Sequence, residues 1–241
     1  MRHFFAFVTA AMTVFTSYAC SVQEGNSVDV NLTLFNRSNS AGSLLYGGRS
    51  DGVTAALNEL HVTISKVTLT PCLTVQRGPR DLLRGFGDAL LPAAYAHSAS
   101  TSDSLGTPHV ISFVDSGGAW ALGNLLPSSA VCGVRLQFTP ADDDAVGLPA
   151  DKLMVGKTAR AQMSLNRANN VQDNYLQDTD FSLTRNYPLF GGTASGSGVI
   201  IMISVDVPTV LRAGLEGDLA MAPSARWVTA VADATSASRV K

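Results

Sequence analysis

Three histidines, three cysteines and one serine motif are the residues whose types and spacing could do chemistry. Gly48-Arg49-Ser50-Asp51-Gly52 matches G-x-S-x-G, the turn that exposes a nucleophilic serine between a strand and a helix. Leu44-Leu45-Tyr46 could supply the strand, and Val53, Ala56, Leu57 and Leu60 have helical spacing. An α/β-hydrolase places several strands before its elbow, however, and the chain ahead of Gly48 is too short for them. A Gly-rich Ser/Asp loop is an ordinary turn, so a serine hydrolase using Ser50 ranks third among the readings. His61, His97 and His109 could form a copper or zinc site with an open position, since neutral imidazole is the commonest metal ligand. None has short ligand spacing. His61 shares the polar face of its strand with Thr63 and Ser65, His97 sits in a Ser/Ala loop and His109 opens a strand, so the expectation is that the rings do not converge.

The remaining motifs are weaker. Asp142-Asp143-Asp144, with Asp151, offers hard oxygen ligands but lacks the alternation and glycine of a calcium loop. A solvated acidic loop is the better reading, for these residues and for Asp173, Asp178 and Asp180. Gly156-Lys157-Thr158 ends like a phosphate-binding loop, yet Asp151 stands where its first glycine belongs. Gly191 to Gly198 lacks the lysine too and reads as a flexible loop.

The cysteines locate the protein. Residues 1–20 run MRHFFAFVTAAMTVFTSYAC: Arg2 and His3 form a basic start, Phe4 to Phe15 an apolar stretch, and Ser17-Tyr18-Ala19 a small-x-small cleavage site. This is an export signal, and the stretch is too short for a span of about 20 residues. Ala19-Cys20 resembles the junction of bacterial lipoprotein signals, at which a peptidase cuts before a cysteine that receives lipid, although Ser17 stands where leucine is usual and Tyr18 where a small residue is. Ser17 and Ala19 equally satisfy an ordinary signal peptidase. The resemblance implies a lipidated Cys20, and Ser21 after it implies sorting to the outer membrane. An odd cysteine count in an exported chain leaves one to be modified or paired outside. If Cys20 is lipidated, Cys72 and Cys132 pair and close a loop of about 60 residues, a cross-link valued at about 4 kcal/mol. Cys132 has the parity of Val134, Leu136 and Phe138, so it is expected to point inward.

Elements must position these residues. Of 241 residues, 46% are hydrophobic and 15% charged, the composition of a packed globular chain. Lys plus Arg (17) against Asp plus Glu (19), with no basic run, leaves no footprint for nucleic acid. Ser21 to Ser27 is polar and reads as a tether, giving a signal peptide over 1–19, a lipid-anchored tether over 20–27 and one domain over 28–241. Val28, Val30, Leu32 and Leu34 alternate as in a half-buried strand. Leu60, Val62 and Ile64 do the same, and Val67 and Leu69 follow out of phase, which predicts a bulge or a change of packing face near Ser65-Lys66. Further strands are expected over 109–115, 119–125, 131–139, 153–165, 181–184 and 199–207, the first two joined as a hairpin by Ser116-Gly117-Gly118. Short helices are expected over 80–91 and near Val228, Val231, Ala232 and Thr235. The fold class is therefore mainly β, an antiparallel β-sandwich with loop insertions and one or two short helices.

LHVTISKVTLTPC, followed by ALGNLLPSSAVCGVRLQF, resembles a pattern of uncharacterised bacterial secreted lipoproteins with a transthyretin-like or prealbumin-like sandwich. Leu122-Gly123, Leu126-Pro127 and Arg135-Leu136 carry the match, over about residues 60–139, with Cys132 where an aromatic is common. It implies a fold and an envelope location, and no reaction. The leading expectation is a non-catalytic envelope lipoprotein that binds another protein or a glycan and needs no cofactor. The alternative is a periplasmic copper or zinc protein acting as carrier or redox-enzyme partner. Periplasmic copper-binding partners of di-haem peroxidases are similar in export, sandwich and hairpin, although their tryptophan-rich stretch is missing here.

Overall fold

The computed structural model describes residues 27–35, 44–47, 54–72, 101, 103–114, 118–127, 129–166, 172–190, 198–216 and 223–240. The protein is mainly β. In β1 (Val28–Phe35) the alternating Val28, Val30, Leu32 and Leu34 are buried, and in β12 (Val199–Asp206) so are Val199, Ile201, Ile203 and Val205. The two strands lie parallel, from Val28 opposite Val199 to Phe35 opposite Asp206, so both apolar halves enter one core.

They are interior strands of an eight-stranded sheet. Its order is β5 (Ser104–Leu105), β4 (Lys66–Pro71), β8 (Val131–Phe138), β11 (Leu183–Phe190), β13 (Thr235–Val240), β12, β1 and β7 (Ala119–Leu125). The outer strands of this sheet approach each other: a Cβ on Gly123 of β7 would lie 2.8 Å from Leu105 Cδ2 of β5. The sheet is thus curled nearly into a barrel. The five-stranded sheet runs β10 (Gln172–Thr179), β9 (Ala159–Asn166), β3 (Thr54–Ile64) and β2 (Leu44–Tyr46), with β6 (His109–Ser112) paired to the last residues of β3. Apart from β1/β12 and β11/β13, the strand pairs are antiparallel.

The phase change expected near Ser65 is the point at which the chain leaves one sheet for the other. β3 ends at Ile64 and β4 starts at Lys66, while Ser65 donates from its N–H (2.8 Å) and its hydroxyl (3.0 Å) to the Gln137 carbonyl of β8. One core draws Leu60 and Val62 from the smaller sheet together with Leu32, Leu136 and Ile203 from the larger.

Several expectations need correction. Residues 109–115 and 119–125 do not form a hairpin: β6 pairs with β3 and β7 with β1, so the link crosses between sheets. Leu153 to Thr158 is a turn, and β9 begins only at Ala159. Residues 172–179 are a strand where an acidic loop was expected, and β11 runs on to Phe190. Helix α1 (Val207–Glu216) follows β12 directly, with Asp206 before it accepting from the Thr209 hydroxyl and Pro208 in the first turn, where a missing N–H costs nothing. The expected C-terminal helix is α2 (Pro223–Asp233), which stops before Thr235, and β13 follows. The helix expected over 80–91 lies outside the described residues.

The two helices pack through Gly214, whose missing Cβ leaves room for the Trp227 ring at 2.5 Å from the ideal Cβ position. Trp227 is buried and donates Nε1–H to Gln177 Oε1 of β10 at 3.1 Å. The last turn of α2 is closed from two strands. The Thr235 hydroxyl donates to the Val231 carbonyl (2.6 Å) and the Tyr187 hydroxyl to that of Ala232 (2.7 Å). Burial pushes the Tyr187 hydroxyl up to about 12, so it remains a donor.

Candidate functional site

The charged side chains that the fold gathers lie on the solvent side of the five-stranded sheet. A bulge decides which residues of β3 face that way. Leu57 pairs with Met163 and Glu59 with Gln162, leaving Asn58 as the extra residue. Leu57 before it and Leu60 after it both enter the core, so their helix-like spacing belongs to a bulged strand. The helix that an elbow at Ser50 would require is thereby replaced by β3. Ser50 itself lies outside the described residues.

Beyond the bulge Glu59, His61 and Thr63 face outward. Ser112, His61, Arg160 and Asp178 then form one cross-strand row over β6, β3, β9 and β10. Arg160, 9% exposed, donates Nε–H to Glu59 Oε1 at 2.8 Å and reaches both oxygens of Asp178 from one terminal nitrogen at 3.3 Å. Lys157 Nζ is 2.6 Å from Asp178 Oδ2, and His61 Nδ1 lies 3.1 Å from Glu59 Oε1. Four residues further along β9 from Arg160, Asn58 donates to the Ser164 hydroxyl (2.9 Å), which donates to Asn174 Oδ1 (2.8 Å).

Two cations stand against two carboxylates here, and each carboxylate already holds a guanidinium. Such a network locks strands together; as a base or metal ligand each carboxylate is engaged. It also fastens the excursion between β8 and β9. That excursion packs Ala141, Ala145 and Met154 on Val110 of β6, a small second core over the outer face beside Thr63. Gly147 allows the close approach: its φ is 80°, and a Cβ there would meet the Val110 carbonyl oxygen at 2.6 Å. Asp143, Asp144 and Asp151 are exposed on this excursion, as a solvated loop requires, whereas Asp142 is half-buried with its Oδ1 away from solvent; Lys157 is tied to Asp178 with no helix following.

The two described histidines are placed apart. His61 pairs with Ser112 and His109 with Ile64, so along β3 they fall on opposite faces of the sheet. His109 is buried on the core side, where desolvation lowers its pKa below 6.5 and a hydrogen bond between its ring and the Leu122 backbone opposes the shift. His97 lies outside the described residues. Among the described residues no three His, Cys, Asp or Glu side chains are grouped as a metal site. The void between the sheets is lined by Leu32, Ile111, Phe138, Val205 and Val231, with Thr235 its polar neighbour.

Cys72 and Cys132 form a disulfide with Cα atoms 4.7 Å apart. Its setting differs from the inward one expected. Thr70 pairs with Gly133 and Pro71 with Val131, so Cys132 is the unpaired residue of a second bulge and is exposed, while Val131 enters the core. Cys20 lies outside the described residues, and no helix among those described is long and apolar enough to cross a membrane. Comparison with protein-family models, curated proteins and solved structures gives no match.

Sequence reasoning missed the Glu59–Arg160–Asp178 network. Its signal was present as opposite charges at one parity of neighbouring strands, but pairing partners become readable only once the register is known.

Proposed function

We propose that the chain is an exported envelope lipoprotein, held by lipid on Cys20, whose β-domain binds another envelope protein or a glycan and carries out no reaction of its own. The observation that carries this reading is the Cys72–Cys132 bond. It suits an oxidising compartment and leaves Cys20 as the odd cysteine, at the junction of a signal-like segment. The resemblance of residues 60–139 to secreted lipoproteins agrees with it. Ion pairing of Glu59 with Arg160, and of Asp178 with Arg160 and Lys157, supports a binding or structural role over general acid-base chemistry. Metabolic labelling with a fatty-acid probe tests the anchor: label is expected on the protein and absent from Cys20→Ser, and unlabelled protein, or label that survives the substitution, would sink the reading.

A further inference from the structure

We propose that the domain rests on the lipid surface through the end of the eight-stranded sheet at which β1 begins, with Leu126, Phe190 and Val240 touching the bilayer interface. This rests on the lipid anchor proposed for Cys20. The strand directions define that end. Val28 opens β1 beside Val199, which opens β12, and beside Leu125, which closes β7. Ile200 pairs with Val240 at the end of β13, and Phe190, last in β11, runs parallel beside Ser238. Leu126 follows β7 directly, and the Cys72–Cys132 bond joins the end of β4 to the start of β8 on the same side.

Three large apolar side chains project there: Leu126 is 50% exposed, Phe190 63% and Val240 40%. What brings lipid to them is the chain upstream. Only six residues separate Cys20 from Ser27, so a lipid on Cys20 lies at most about 25 Å along the chain from the start of β1. The far end of β1, at Phe35, lies roughly 23 Å further away. Tethering holds the Val28 end at high effective concentration over the bilayer, so contacts too weak to recruit a free protein suffice to orient a held one. Asp29 beside Val28 accepts from the Asn124 amide at 2.7 Å, and Arg239 is half-buried in register with Ile201, so the test uses a zwitterionic surface. Phe35, 58% exposed at the opposite end, is an internal control.

The test places tryptophan at Leu126, Phe190 or Phe35 of the lipidated protein in phosphatidylcholine vesicles with brominated acyl chains. Each variant is read as added quenching over the parent chain. Quenching of Leu126→Trp and Phe190→Trp at least twofold above that of Phe35→Trp is expected. Equal quenching at the two ends, or none at Leu126 and Phe190, would overturn the proposal. A parallel set, with Cys20 replaced by a histidine tag and held on nickel-chelating vesicles, separates the two claims. If Cys20 carries no lipid, the anchor falls, while the pattern on chelating vesicles still decides which end docks.

Discussion

Replacing Cys72 and Cys132 together by serine should destabilise the protein by about 4 kcal/mol at most and by no less than about 2. The upper figure follows from the loop that the bond closes. A sequence separation of 60 removes, in the chain-entropy model, about 14 cal/mol/K from the unfolded chain, or about 4 kcal/mol at 25 °C. Packing adds little, because Cys132 is exposed on its bulge and Cys72 half-buried, so two hydroxyls take their places without a cavity. The native ends stay together without the bond, since Cys72 N–H donates to the Ala130 carbonyl at 2.9 Å and Pro71 remains opposite Val131. The loss therefore belongs mainly to the unfolded state. Urea unfolding of the double variant beside the oxidised protein measures it, and the reduced native protein should match the variant. A loss below about 2 kcal/mol, or a variant that fails to fold while the reduced native chain folds, would refute this reasoning.

Further outcomes follow from the buried polar groups and the helix contact. His109 stays neutral in the folded state to a lower pH than in the unfolded chain. The unfolded chain therefore takes the proton first, and stability, complete above about pH 6.5, falls as pH drops toward the lowered pKa by up to about 1.4 kcal/mol per unit. Subtracting the stability profile of His109→Gln from that of the native chain should isolate this slope, and a flat difference between pH 7.5 and 5.5 would contradict it. Arg160→Met should cost about 3 kcal/mol, because Glu59 and Asp178 lose the cation between them. Adding Glu59→Gln should return part of that loss, and simple additivity in chemical denaturation would count against the network. Gly214→Ala should lower stability by about 1–2 kcal/mol, steric strain against Trp227 exceeding the gain in helix propensity; a raised melting temperature would show that the helices separate freely.

Much of the fold was legible because burial on one face writes an alternation into the residues. β1 and β12 follow their patterns almost to the residue, and the slip of phase between Ile64 and Val67 marked a real passage between sheets. Misreadings came where that alternation is broken or has no reason to exist. The bulge at Asn58 puts Leu57 and Leu60 on one face and imitates a helix, and the bulge at Cys132 turns outward a side chain whose parity said inward. β10 is a sheet edge with little burial on either face, so its Asp and Asn residues look like a loop. β6 and β7 carry sound strand signals, but a Ser-Gly-Gly link does not say whether its strands pair or diverge. The pairing of Cys72 with Cys132 was open to cysteine arithmetic, whereas the Arg160 network needed the register of three strands.

The central claim is best tested by the intact mass and N-terminal peptide of the protein isolated from membranes of producing cells. A chain beginning at Cys20 with a diacylglyceryl group on its sulfur, and two further cysteines joined to each other, is the predicted result. A water-soluble chain with an unmodified N-terminus, or a membrane fraction in which Cys72 and Cys132 carry free thiols, would contradict it.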